Sequence, residues 1–224
     1  MIKLLDLYCG AGGAAMGYYQ AAQDLGISIE ITGIDINPQP NYPFNFIQAD
    51  AIQYLDNNYK KYTHIHSSPP CQAYSVATAP FRKKGKNYPD LIEPTRKLLL
   101  KTGLPCIIEN VPNAPIRADL ILKGYVFDLK VIRKRHFEFI NSFILQPQFE
   151  RIKGSVKNGD YISVYGKGHY IDKKGFVMPK FKKKSVLETW KYAMGINWMK
   201  NNREIAESIP PAYTRYIGNT FLIT

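Results

Sequence analysis

The segment Ser67-Ser68-Pro69-Pro70-Cys71-Gln72 sets one cysteine behind a diproline, at the end of an apolar, strand-like run from Tyr62 to His66. Each proline fixes its own φ, and Pro70 also restrains Pro69, so the peptide turns rigidly and presents Cys71 at a defined angle. That is how a nucleophile has to be held. The ordinary alternative is a turn with a small buried cysteine, and Cys71 alone does not displace it.

The elements that position this residue begin at the amino terminus. Ile2 to Leu7 read as a short buried strand running into Asp6-Leu7-Tyr8-Cys9-Gly10-Ala11-Gly12-Gly13, and a helix is expected from Gly13 to Leu25. Strand, glycine turn and helix in that order belong to nucleotide-binding α/β domains. The spacing is not G-x-G-x-x-G, which argues against a standard NAD site. A second strand, Ile29 to Ile34, ends in Asp35, where such folds place the acid that accepts from a ribose diol. A third run, Phe44 to Ile47, leads to Asp50, which offers a carboxylate for an adenine amine and also suits the N-cap of a helix over Ala51 to Leu55. Two acids after two strands imply an adenosine-bearing cofactor.

With the glycine turn, Pro-Pro-Cys-Gln, Glu109-Asn110-Val111-Pro112, Arg133-Lys134-Arg135 and Ile217-Gly218-Asn219 in this order, the chain resembles the cytosine-5 DNA methyltransferases over nearly its whole length. The resemblance implies an α/β, Rossmann-like S-adenosylmethionine-dependent domain with a small β-rich target recognition insert. It implies methyl transfer to C5 of a flipped-out cytosine in double-stranded DNA. Carbon 5 is a poor nucleophile until a thiolate, here Cys71, adds to C6. Glu109 would hold or protonate N3, which needs a raised pKa, and its place after Cys106-Ile107-Ile108 fits burial. Arg133 and Arg135 would line the cytosine pocket, Arg135 on the base; the plainer reading makes them two arginines on one solvated strand face. Carried over position by position, the cofactor set is Asp6, Leu7, Tyr8, Gly10, Ala11 and Gly13 around the turn, with Asp35 and Ile36 at ribose and adenine. Asp50 and Ala51 meet the adenine edge, Pro70 sits beside the nucleophile, and Asn219 with Thr220 close the site. This chain departs from the family pattern at Tyr8 (usually Phe), Asp35 (usually Glu) and Val131 (often Gln), the last removing a polar pocket contact.

Composition agrees. The chain has 224 residues, 45% of them hydrophobic, and a net charge of +12, which calls for a polyanionic partner. Basic clusters fall at Phe81-Arg82-Lys83-Lys84-Gly85-Lys86 and from Arg151 through Lys191, and Thr78 to Lys86 reads as a mobile loop that orders on DNA. Each lysine run taken singly is as well explained as a solvated face. No signal pattern and no bilayer-length apolar run stands in the sequence, so a cytoplasmic, nucleoid-associated monomer is expected. Three cysteines without zinc spacing imply no metal and a reducing compartment. The four histidines receive no role.

The division expected is 1–140 for the catalytic and cofactor-binding core, 141–184 for a small basic recognition segment, and 185–224 for helices returning to the core. Tyr161-Ile162-Ser163-Val164-Tyr165 and the surrounding glycines suggest a compact β element, Gly166-Lys167-Gly168-His169 a hairpin turn, and the short insert a recognition site of few base pairs. The alternatives are an RNA (tRNA) cytosine-5 methyltransferase, a non-catalytic DNA-binding module, and a catalytic chain whose reading surface comes from a partner.

Overall fold

A computed structural model describes residues 1–146, 154–165, 183 and 185–224. The Arg151 end of the second basic cluster, its Phe181-Lys182-Lys183-Lys184 heart apart from Lys183, and Gly166-Lys167-Gly168-His169 lie outside the described residues.

The strands are β1 (Ile2–Leu7), β2 (Ile29–Asp35), β3 (Asn45–Gln48), β4 (His64–Ser67), β5 (Cys106–Asn110), β6 (Leu120–Leu122) and β7 (Arg135–Ile140). Among the described residues they form one sheet in the order β3-β2-β1-β4-β5-β7-β6. The first five run parallel, whereas β7 is antiparallel to both its neighbours. The helices are α1 (Gly13–Leu25), α2 (Ala51–Asn58), α3 (Ala79–Lys83), α4 (Ile92–Thr102), α5 (Val186–Met194), α6 (Asn202–Glu207) and α7 (Pro211–Phe221).

The parallel strands are apolar on both faces because helices cover both. Leu4, Ile31 and Ile107 face the α1 side with Tyr18, Tyr213 and Phe221; Leu5, Leu7, Ile65 and Ile108 face the α2 and α4 side with Leu55 and Leu99. Strand order reverses between β1 and β4, and in such sheets the crevice beyond the carboxyl ends at that point is where ligands bind. The glycine turn leaves β1 there, and the diproline segment leaves β4 beside it. A backbone bond from the Ser68 N–H to the Leu7 carbonyl, 3.1 Å, ties the two exits together.

Sequence periodicity finds β1 and α1 at their observed bounds and β2, β3 and β4 within two residues, and it makes no reading of β5 or β6 as strands. It does not find β7 as an antiparallel hairpin partner, and it reads Thr78 to Lys86 as a loop where α3 forms. Nor does a β element appear in the described part of 141–184. Residues 156–159 make a turn, and Tyr161 to Tyr165 join no ladder, Ile162 and Val164 burying against Val131, Trp190 and Met194. The alternation in the sequence is real, but it serves packing against α5, not strand pairing.

Candidate active site

Of the three cysteines, Cys9 and Cys106 are buried, and only Cys71 is partly open. Burial pushes the Cys106 thiol up to about 12 and holds Cys9 higher still, which removes both as nucleophiles at neutral pH. Cys71 opens a short 3-10 turn, Cys71–Ala73, directly after Pro70. Burial raises its thiol too, but the Arg135 and Arg133 charges pull it down while Glu109 pushes it up. Cys71 therefore senses the three other predicted catalytic side chains, Glu109 on β5, Arg135 at the start of β7 and Arg133 just before it.

Asn110 explains how the diproline is held. Its amide donates to the Pro69 carbonyl at 2.8 Å while its own oxygen accepts from the Val111 N–H at 2.9 Å. The Asn of Glu-Asn-Val-Pro is thus a brace from β5 to the nucleophile segment, a role the sequence did not disclose.

Glu109 stands opposite Phe137 in the antiparallel β5–β7 pair and Arg135 is its diagonal neighbour, with Arg135 Nε 2.8 Å from Glu109 Oε1. The approach is an ion pair without hydrogen-bond alignment, so both atoms remain buried and unsatisfied, as does Arg133 Nε. Unspent buried polar atoms on three adjacent side chains are what a pocket for a polar ring requires. Burial raises the Glu109 carboxyl, against the lowering influence of Arg135, Arg133 and the Ser68 hydroxyl.

Arg133 does not lie on a strand beside Arg135. It sits before β7 at φ 31°, and its guanidinium donates to the carbonyls of Val164 (3.1 Å), Ala206 (2.7 Å) and Ser208 (2.5 Å). Three of its donors are thus spent on backbone carbonyls, two of them in the carboxyl-terminal segment, and its charge acts to lower the Cys71 thiol.

On the cofactor side, Tyr8 adopts φ 57° and anchors its hydroxyl to Thr95 Oγ1 at 2.8 Å. Gly10 follows at φ 48°, with open space where a Cβ would stand. Asp35 closes the turn by accepting from the Gly10 N–H at 3.1 Å and the Asn37 N–H at 2.9 Å. Ile36 beside it is 66% exposed, an apolar side chain left for a flat ring to cover. Asp50 caps α2 through the Gln53 N–H at 2.9 Å, and Pro70 lies partly open beside Cys71.

Several of the residues named for the cofactor turn their side chains elsewhere. Asp6 and Leu7 are inside the sheet: Leu7 belongs to the α2-side core, and Asp6 is buried under the Tyr42 hydroxyl at 3.1 Å. Ala11 turns its methyl into the α5 cluster and gives its carbonyl to the Trp198 indole N–H at 2.9 Å. Ala51 likewise buries its methyl in the core. Asn219 and Thr220 are exposed near the far end of α7, which runs alongside α1: Gly218 lies against Ala21 and Phe221 against His64 at the start of β4. That is the end of the strands opposite the glycine turn. The tail meets the turn through Ser208 and Ile209, since a Cβ on Gly13 would fall 2.0 Å from Ser208 Oγ and 2.3 Å from the Ile209 carbonyl. The diproline Pro210-Pro211 that follows was the available signal for this approach.

Fold and site together define a Rossmann-like methyltransferase architecture. The structure of the Entamoeba histolytica methyltransferase EhMeth matches it with a TM-score of 0.55 at 13% identity, covering 100% of this chain and 98% of that one. The model of the C-5 cytosine-specific DNA methylase family matches residues 2–115, half of the chain, and the chain belongs to that family. Among curated proteins it is 34% identical over 83 residues to the Type II methyltransferase M.HgiCI of Herpetosiphon aurantiacus, and 24% identical over 180 residues to the Type II methyltransferase M1.BsuMI of Bacillus subtilis. These alignments take in 34% and 62% of this chain and only 19% and 42% of those two proteins. Among the described residues no His, Cys, Asp and Glu cluster could hold a metal ion, and no helix is long and apolar enough to cross a membrane.

Proposed function

We propose that the chain is a DNA (cytosine-5)-methyltransferase that acts as a monomer on duplex DNA with S-adenosylmethionine as methyl donor. The observation that supports this above all is the convergence of the one partly open thiol with a buried carboxyl and an arginine whose polar atoms are unspent. The cofactor fits the residues present: open space at Gly10, a carboxylate at Asp35, an exposed apolar side chain at Ile36 and the capped start of α2 at Asp50. When bound it supplies an electrophilic methyl group.

The protein's own residues do the rest. Arg135 and Arg133 favour the Cys71 thiolate, which adds to C6 of the cytosine so that the S–C6 bond forms as the ring's π electrons move toward N3. Glu109, raised by burial, holds its proton at N3 and stabilises that charge. Carbon 5 is then enamine-like and can take a methyl group. Loss of the C5 proton and cleavage of the S–C6 bond restore the ring and the thiolate. A stacked cytosine cannot reach Cys71, so the base must leave the helix. Exposed Lys83, Lys84 and Lys86, carried on and just after α3, are placed to bind the phosphates alongside.

The test is mass spectrometry of nucleosides from duplex DNA and, separately, from tRNA, incubated with S-adenosylmethionine and wild-type protein or Cys71→Ala. 5-Methylcytosine in DNA with wild type alone is the expected result. Product in RNA alone would reassign the substrate, and product from Cys71→Ala would overturn the nucleophile.

A further inference from the structure

The crevice that suits the cofactor has two walls, the glycine turn after β1 and the segment after β2 that begins at Asp35. Both are tied to one stretch of chain distant in sequence, 198–209, which holds α6 and the residues on either side of it. Met199 and Ile205, both wholly buried, seat this stretch in the apolar cluster that also takes in α5, and Trp198 packs at the margin of that cluster.

Trp198 reaches the first wall. Its indole N–H donates to the Ala11 carbonyl at 2.9 Å, across 187 positions of sequence. An indole has one N–H and no acceptor, so the bond has one direction. The same peptide unit is held at its other end, where the Gly12 N–H donates to the Cys9 carbonyl at 3.1 Å. Gly12 stands at φ 82°, and a glycine adopts either sign of φ with little penalty, so the unit between Ala11 and Gly12 keeps its orientation through these two bonds.

Glu204 reaches the second wall. Its Oε1 accepts from Asn41 Nδ2 at 2.7 Å, in the segment between β2 and β3. Glu204 is itself fixed, since Oε1 also accepts from Asn201 Nδ2 at 2.7 Å and Oε2 from the Lys200 N–H at 2.8 Å. The residue after Asn41 carries the hold inward. Tyr42 packs over Gly12 and Gly33, so that a Cβ on the first would lie 3.0 Å from its ring and one on the second 2.3 Å.

The geometry points to Trp198 and Glu204 as positioning residues for the cofactor, setting the placement of its two walls from a single carboxyl-terminal stretch. Their role rests on S-adenosylmethionine being the methyl donor, as proposed above. The same stretch gives the Ala206 and Ser208 carbonyls to Arg133, so what holds the cofactor walls also holds a side chain beside Cys71. A bond that served stability alone would lower Tm when lost and leave the affinity of the folded protein where it was.

Each link is cut by one substitution that leaves the other in place. Trp198→Phe keeps an aromatic ring and loses the N–H, whereas Asn41→Ala loses the donor and leaves Glu204 its bonds to Asn201 and Lys200. Calorimetric titration of the free, folded protein with S-adenosylmethionine, run beside thermal unfolding, measures the effect. Losing one hydrogen bond that shapes the site raises Kd about three- to tenfold in each variant, and in turnover the loss falls on KM for the cofactor. Asn197→Ala, at an exposed neighbour that makes neither link, keeps the wild-type Kd. Wild-type affinity in either linked variant, or an equal loss in Asn197→Ala, overturns the proposal. A second readout needs no cofactor: the Gly12 amide exchanges its hydrogen about three- to tenfold faster in Trp198→Phe, and unchanged exchange also overturns the proposal. If exchange quickens and the wild type binds no S-adenosylmethionine, Trp198 still positions the turn and the cofactor reading falls.

Discussion

Gly13→Ala is the substitution on which local and tertiary reasoning disagree in sign. Gly13 opens α1, and replacing a helical glycine with alanine ordinarily gains about 0.5–1 kcal/mol. In this fold the added methyl would stand 2.0 Å from Ser208 Oγ, 2.3 Å from the Ile209 carbonyl and 3.2 Å from the Ile209 nitrogen. The serine hydroxyl can rotate away, but the carbonyl is backbone. It cannot retreat without moving the segment that Arg133 holds through the carbonyls of Ala206 and Ser208. Overpacking of this kind costs about 1–3 kcal/mol, and a backbone obstacle puts it at the upper end. After the helix gain is subtracted, a net loss of roughly 2 kcal/mol remains, which for a chain of this size lowers Tm by about 4–8 °C. Thermal unfolding followed by circular dichroism measures it, with Gly26→Ala as the control for pure backbone strain, since Gly26 has φ 65° and open space around it. An unchanged or raised Tm for Gly13→Ala would refute the close approach of the tail to the glycine turn.

Stability against pH supplies a second prediction. Burial raises Asp6 from its ordinary 3.8 to about 7, so between those values the native state binds the extra proton and this group's contribution falls as pH rises. Burial lowers His66 from 6.5 to about 3, so there the unfolded state binds the extra proton and stability rises with pH. The two slopes oppose each other over roughly pH 4–6.5, each worth on the order of 4 kcal/mol across its window. Urea titrations should therefore find the wild type nearly flat there and Asp6→Asn rising with pH; parallel curves would contradict the assignment. Third, Arg82 donates to the Gln72 and Ser75 carbonyls, both at 2.8 Å, and to Thr78 Oγ1 at 2.6 Å. Arg82→Ala should expose residues 73–86 to limited proteolysis and slow methyl transfer several-fold with little change in Tm, and an unaltered digestion pattern would show that the arginine is not what holds this segment.

What the sequence disclosed was local in cause. The glycine turn, α1, the first four parallel strands and Cys71 behind its diproline follow from periodicity, backbone restriction and turn chemistry within a few residues of each other. What it concealed was pairing over distance. Trp198 meets Ala11, Arg133 meets Ala206 and Asn110 meets Pro69, and nothing in their own neighbourhoods announces those partners. The carboxyl-terminal motif holds another such contact. Gly218 is required because a Cβ there would lie 2.6 Å from that of Ala21, and its absence lets the two helices touch. Tyr18 and His66 were legible only as core residues, since the hydrogen bond that joins them across two elements has no period. Burial of Asp6 and Leu7 was legible in the strand reading of Ile2 to Leu7, which the observed strand matches.

The joining of α7 to α1, with Thr214 Oγ1 donating to the Ala14 carbonyl at 2.8 Å across two hundred residues, also sets an order of events during synthesis. The glycine turn is made about two hundred residues before the helix that packs behind it. Chains whose decisive contacts are so distant fold slowly, because the loop must close before the contact can repay it. The nascent α1 therefore waits with Gly13, Gly17 and Tyr18 uncovered until Pro211 to Phe221 emerge. The glycine turn takes its final shape only once that helix has packed, and folding helpers that shield apolar helix faces have their longest work at α1.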